Sequence, residues 1–450
     1  MRDYKEMEIL DLYLNRQKDV CIRNDEIAPV LFKEYGVYHG LRDDEGQGVL
    51  TGLTNISRIV SYKKENGVRR PCEGQLWYRG YRVEDLIGNL RADEMGFEKI
   101  AYLLLMGQMP SKEEEEEFTA LLTSLRPLPV NFVRDVVMKA PTQDIMNAMT
   151  KSILTLASHD KKPGDQSLEA SLLSSLQLIA QMPLLAVYSY NSYNYKRNDK
   201  TMFIHNPDPA LSAAENILRL LRVDSSFTPL EAKVLDTALI LHMEHGGGNN
   251  STFTTRVVTS TGSDTYATIA AAMSSLKGPK HGGANIKVME MMEDIRSHVA
   301  DINDEDQVCD YLARILDGQA FDGKGLIYGI GHAVYTVSDP RERVFKKYVE
   351  QMAQEKDRME DMRLYQIIED HAPRMLMEKK GLQTPVCTNV DFYSGFVYDM
   401  LGIPRELYTA FFAIARIVGW SAHRIEELIT SDKIIRPAYK SVMKECRDDQ

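Results

Sequence analysis

The sequence has little tryptophan, little cysteine and no excess of positive charge. Two of its 450 residues are tryptophan and five are cysteine. Cys21, Cys72, Cys309, Cys387 and Cys446 are odd in number and widely scattered, which excludes a full disulfide framework and leaves no closely spaced pair for a zinc module. Reduced thiols are expected. Lysine and arginine total 54 against 65 aspartate and glutamate, a formal net charge of -11. That balance argues against broad electrostatic binding to nucleic acid or an anionic membrane. An anionic substrate would have to be held by a few placed arginines acting against the overall field. There is no charge-free run of about 18 apolar residues, and the acidic start MRDYKEMEILDLYLNRQKDV does not suit a signal or transit peptide. A cytoplasmic protein is expected, with no internal repeat and no long low-complexity linker.

What is there is helical periodicity. A chain of 450 residues can bury a large core, and two or three domains of roughly 150 residues each are expected. Residues 1 to 50 read as an arm of short helices. Valine, isoleucine and aromatics gather between turn residues only near 49 to 80, so short strands or hairpins belong there. From Phe97 the period is helical, with an acidic helix after Ser111, an apolar and therefore central helix in LEASLLSSLQLIAQMPLLAVYSYN, and a polar, tyrosine-rich connection from Tyr188 to His205. The fold class is mainly α.

The chain is organised around His242 to Asn285, which carries three histidines, two glycine clusters and two adjacent asparagines. Thr228-Pro229-Leu230-Glu231 is a capping box with proline at the first helical position, and the helix it opens is expected to carry Val234, Ala238, Leu241 and His245 on one face. Asp264 is the expected N-cap of a helix closed by Gly278-Pro279. His281 then falls in the glycine-rich turn GPKHGGAN, where free backbone N–H groups beside an imidazole would suit a developing oxyanion. A metal on His242 and His245 is disfavoured, because the spacing is not His-Glu-x-x-His and no cysteine pair supports it. His242 reads as a hydrogen-bonded core histidine.

Three further stretches look chemical. His332 follows Gly329 and Gly331 in a turn where backbone can approach a ligand. Arg341 sits in the first turn of a helix opened by Ser338-Asp339-Pro340, the wrong end for a cation. Either an anionic ligand or an ion pair with Asp339 or Glu342 would accommodate it. Arg416, ringed by Leu407, Phe411, Ile414, Val418 and Ile425, is expected to be buried and to need a carboxylate, external or internal. Asn389 can cap a helix that leaves Asp391 in its first turn, a common place for an acid on electrostatic grounds alone.

Together these residues carry a resemblance. GLTNIS, EGQLWYRGY, EHGGGNNSTF, GPKHGGAN, GIGHAVY, DPR, NVDFYSG, ARIVGW and IRP occur in the order found in citrate synthases, and the chain resembles that family over nearly its whole length. The resemblance implies an all-helical homodimer, with a large domain of residues 1-285 plus 397-450 and a smaller mobile domain of 286-396. It implies condensation of acetyl-CoA with oxaloacetate and hydrolysis of the citryl-CoA formed, with no metal or redox cofactor. Carried over by position, His281 would hydrogen-bond the thioester oxygen, Asp391 would remove the methyl proton, and His332 would polarise and protonate the ketone. His245, Arg341, Arg416 and, from a partner subunit, Arg436 would hold oxaloacetate, with Ser251 and Asn249 supporting His281. Tyr335, Thr336 and Val337 stand where the animal-type pattern has basic residues. The coenzyme candidates are therefore Gly329, Ile330, Gly331 and Asn389 rather than any cation there. A 2-methylcitrate synthase using propionyl-CoA needs the same residues, and one methylene changes discrimination by only ~1 to 3 kcal/mol. A helical scaffold without activity is the reading of another class, and it would not require His281, His332 and Asp391 together.

Overall fold

The computed structural model describes residues 4–43, 46–332 and 334–443, with the backbone alone for 4–8. The expectation for Cys446 falls outside these. Two compact units are present, Met1–Leu53 and Thr54–Gln450. The first holds α1 (Tyr4–Asp25) and α2 (Pro29–Glu34). Both are helices, as expected, although α1 has 22 residues rather than being short.

The second unit opens on the expected sheet. β1 (Ser57–Glu65) and β2 (Val68–Tyr78) pair antiparallel across Asn66-Gly67, and β3 (Tyr81–Arg82) adds a third short strand. Asn66 and Gly67 both take positive φ, the geometry a two-residue hairpin turn requires. Helices follow: α3 (Val83–Gly88), α4 (Phe97–Met106), α5 (Lys112–Leu125), α6 (Ile145–Leu156), α7 (Leu168–Arg197) and α8 (Ala213–Leu221). Next come α9 (Pro229–His242), α10 (Asn250–Thr259), α11 (Thr265–Leu276), α12 (Ala284–His298) and α13 (Glu305–Leu316). The last are α14 (Pro340–Glu355), α15 (Met359–Lys380), α16 (Val390–Met400) and α17 (Tyr408–Thr430).

The caps follow local sequence. Ser111 with Glu114 and Thr228 with Glu231 form reciprocal capping boxes, and Asp264 accepts from Ala267 N. Two expectations are corrected. α7 continues to Arg197, so Tyr188 to Arg197 is helix and not a connection. Buried Tyr188, Asn191 and Tyr193 pack or bond inward, and Tyr188 Oη and Asn191 Nδ2 reach backbone oxygens of His205 and Phe203. The polar residues that suggested a loop are satisfied by the segment that follows. α9 stops at His242, so His245 lies beyond the helix in the turn after it. α7 is long and apolar enough to cross a membrane, but most of it is buried within the protein. It packs against α17, whose residues Ala410 to Ile425 are almost all enclosed. These two helices form the centre of the core.

Candidate active site

Arg416 is fully buried on α17 with its Nε donating to His242 O at 2.7 Å. Both terminal nitrogens are buried with no hydrogen-bond partner. The close approach of α17 to the end of α9 depends on Gly419, where a Cβ would collide with Met243 O and Glu244 Oε2. Burial lowers the Arg416 pKa to about 10; Glu244 opposes this and Arg341 adds to it. Glu244 itself, buried but bonded to His423 Nε2 and Ser57 Oγ, is held down to about 2. A guanidinium with two unpaired nitrogens in such a place is held ready for an anion.

Arg341 and Asp391 are joined by Asp339. The Asp339 carboxylate accepts from Arg341 N, Nε and Nη2, at 3.0, 3.0 and 2.7 Å, and from Val390 N at 3.3 Å. One buried carboxylate thus caps α14 and ties it to the first turn of α16. Burial would raise the Asp339 carboxyl, but Arg341 outweighs it and holds it below the ordinary range. The ion pair considered for Arg341 is therefore present. It leaves Nη1 without a hydrogen bond to any described residue.

Asp391 is partly exposed as a residue, yet its carboxyl is closely surrounded, and burial pushes it up to about 6 against the pull of Arg341 and Arg416. Asn389 sets its position. The Asn389 side chain accepts from Asp391 N and donates to Gly331 O at 2.7 Å, its N–H reaches Gly329 O, and Gly331 N reaches Cys387 O. Ile330 bridges Thr388. Residues 329–331 and 387–389 are thereby paired, which ties the segment leading into His332 to the one leading into Asp391. Gly329 has φ +84, and a Cβ there would lie 2.7 Å from the Phe392 ring. The coenzyme candidates Gly329, Gly331 and Asn389 all have partners within the protein, through one carbonyl, through both backbone groups and through the side-chain amide respectively; Ile330 N lies 3.4 Å from Ile327 O.

His332 Nδ1 lies 2.9 Å from Val334 N and 3.1 Å from Tyr335 N, so it accepts and the ring proton sits on Nε2. Burial, and then Arg341, bring its pKa to about 4, so the ring is a neutral Nε2–H donor. The His245 ring centroid is 5.2 Å away, its Nε2 is buried without a partner, and its pKa is driven well below the usual histidine value by burial and then by Arg341 and His332. Tyr335, missed as a contributor, packs edge-on to His245 and tilted against His332 at 5.5 and 5.0 Å.

His281 lies in the turn between α11 and α12. Both His281 N and Gly282 N bond Gly278 O, so these N–H groups are not the free donors expected; the turn closes on itself and the imidazole is the donor it offers. Thr409 Oγ1 holds Gly282 O at 2.9 Å. His281 Nε2 is 3.2 Å from Ser251 Oγ, and burial followed by Arg416 lowers its pKa to about 4. Arg416 is thus felt electrostatically by His281, His245 and Asp391 alike.

Arg436 stands apart. It is exposed in the extended tail after α17, whose Ile435 N bonds Ser260 Oγ at 3.0 Å, and it makes no ion pair with Asp432 or any other described acid. His242 is the core histidine expected, with Nδ1 2.7 Å from Ala238 O. Among the described residues no group of three or more metal-ligating side chains gathers.

Known proteins similar to this chain point to one family. The model for "Citrate synthase, C-terminal domain" matches residues 44–438. The citrate synthase of Haloferax volcanii is 34% identical over 370 residues, covering 81% of this chain and 88% of that protein. A 2-methylcitrate synthase of Corynebacterium glutamicum is 30% identical over 394 residues, 87% and 92% of the two chains. A ternary complex of citrate synthase from Thermoplasma acidophilum with carboxymethyl coenzyme A and oxaloacetate aligns with a TM-score of 0.73 at 26% identity, over 91% and 97% of the chains. A family model spanning most of the sequence and a mainly helical fold shared with these enzymes lead to one conclusion: the chain belongs to the citrate synthase family.

Proposed function

We propose that the protein condenses acetyl-CoA with oxaloacetate and hydrolyses the citryl-CoA so formed, releasing citrate and CoA. The observation that carries this is the pairing of a carboxyl tuned to about 6 with an unpaired buried guanidinium. A thioester α-carbon is a weak acid, so it needs a base and a preorganised donor acting together. Asp391, ionised near neutral pH, takes the methyl proton while His281 hydrogen-bonds the thioester oxygen. The carbon nucleophile then forms a bond to the ketone carbon of oxaloacetate. His332, already an Nε2–H donor, polarises that ketone and delivers its proton to the alkoxide. Water cleaves the thioester and the thiol departs. Arg416, Arg341 and His245, with Arg436 from a second subunit, hold the oxaloacetate carboxylates and keto oxygen.

In this reading residues 286-396 form the smaller, mobile domain and the rest of the family fold the larger one, in a cytoplasmic homodimer. Side-chain acids and donors supply every proton transfer, so neither metal nor redox cofactor is needed. The Corynebacterium relative favours a second acyl donor, propionyl-CoA, on the same residues. Initial rates with acetyl-CoA and propionyl-CoA, each with oxaloacetate and a metal chelator present, separate the two. A higher kcat/KM for acetyl-CoA is expected; a higher value for propionyl-CoA establishes the methylcitrate reading, and loss of rate in the chelator overturns the metal-free one.

A further inference from the structure

Ser251 Oγ, fully buried, is a hub of three contacts: Asn249 Oδ1 at 2.9 Å, Trp420 Nε1 at 3.1 Å and His281 Nε2 at 3.2 Å. A hydroxyl has one proton to give and two lone pairs, and an indole N–H can only donate. One lone pair therefore always goes to Trp420. With Asn249 Oδ1 facing the hub, the hydroxyl proton goes to Asn249 and His281 must donate from Nε2. Its Nδ1 is then bare and cannot stabilise an oxyanion. The oxygen and nitrogen of an asparagine amide have the same shape, so the network decides which faces Ser251.

We propose that Trp420 and Asn249 are positioning residues that set the tautomer of His281: the Asn249 amide turns its Nδ2–H towards Ser251, Trp420 and Asn249 fill both lone pairs, and the hydroxyl donates to His281 Nε2, leaving Nδ1–H for the substrate. This rests on the donor role given to His281 above. Neither donor suffices alone, because a vacant lone pair on Ser251 would let His281 donate into it and restore the idle tautomer. The two tryptophans of the chain thus include one whose N–H acts on the reaction through two other side chains.

The test is ¹⁵N NMR of the full-length protein labelled at histidine, with the His281 signal identified by its loss in His281→Asn. The pattern of two-bond couplings shows which ring nitrogen carries hydrogen, whether or not the enzyme turns over acetyl-CoA. The result therefore stands apart from the assigned reaction. Wild type is expected as Nδ1–H. Asn249→Asp, whose carboxylate can only accept, should switch His281 to Nε2–H and lower kcat by about 10²- to 10³-fold, the effect of losing one oxyanion donor, with KM for oxaloacetate within about twofold. Trp420→Phe should give a mixture of tautomers and a smaller fall in kcat. An Nε2–H wild type overturns the proposal even if neither variant folds, and so does a single tautomer common to wild type and both variants.

Discussion

At the scale of single residues, Asp391 carries the chemistry. Its carboxyl titrates near 6 instead of about 4 for a free aspartate, and a base must be ionised to act. We expect kcat/KM to rise as pH passes about 6 and then to level, with His281 and His332 already neutral across that range because both lie near 4. Stability runs the other way. The folded protein holds this proton more tightly than the unfolded chain, so the group's contribution is complete below about pH 4 and is lost as pH rises through 6. Asp391→Asn should therefore be at least as stable as wild type at pH 8, by on the order of 2 kcal/mol, and equal to it near pH 4. Its turnover should fall by roughly 10²- to 10⁴-fold. Calorimetry and steady-state rates across pH check both; a variant with full turnover and a lower Tm would make Asp391 a helix-end charge only. Arg416 makes the companion case. Oxaloacetate should raise the Tm of wild type, and Arg416→Met should abolish that rise, since the two unpaired nitrogens are what the dianion would meet. An undiminished shift in the variant would remove Arg416 from the substrate site.

At the scale of elements, the site is assembled by close approaches that side chains larger than hydrogen would prevent. Gly419→Ala should cost about 1 to 3 kcal/mol of stability, because the new methyl meets Met243 O and Glu244 Oε2 where α17 crosses the end of α9. KM for oxaloacetate should rise with it, as Arg416 Nε loses its register on His242 O. Chemical denaturation together with KM tests this, and an unchanged KM would uncouple the crossing from the site. Much of this was legible in the sequence, and unevenly so. The caps at Ser111, Thr228, Asp264 and Asn389 were readable because each depends on residues within three positions of one another. The end of α9 and the continuation of α7 to Arg197 were not, since both are decided by distant partners: the α17 crossing for one, the 203–205 backbone for the other. In the site, His281 and His332 stood out by their glycine-rich turns, whereas Asp391 drew notice only through the family resemblance. Trp420, Tyr335 and the four-way role of Asp339 did not stand out, because their significance lies in contacts across dozens of residues or more. The indole in GWSAH, a donor-only group one turn from the buried Arg416, was the available signal for Trp420.

At the scale of the whole molecule, Arg436 is exposed and unpaired with any described acid, in a tail whose Ile435 N bonds Ser260 Oγ. If it completes a second subunit's site, Asp391→Ala and Arg436→Ala chains, each inactive alone, should complement one another. In the mixed dimer one site carries both lesions and the other neither, so random mixing should restore about a quarter of wild-type activity under two-fold symmetry. Hybrid dimers without activity would place Arg436 in its own chain's site or in none. The central claim, that this fold makes a carbon nucleophile from a thioester and joins it to a ketone, is tested most directly by following free thiol released from acetyl-CoA with and without oxaloacetate. The account predicts thiol only when oxaloacetate is present, in step with citrate formed; thiol released at the same rate without oxaloacetate would show a simple thioesterase and contradict it.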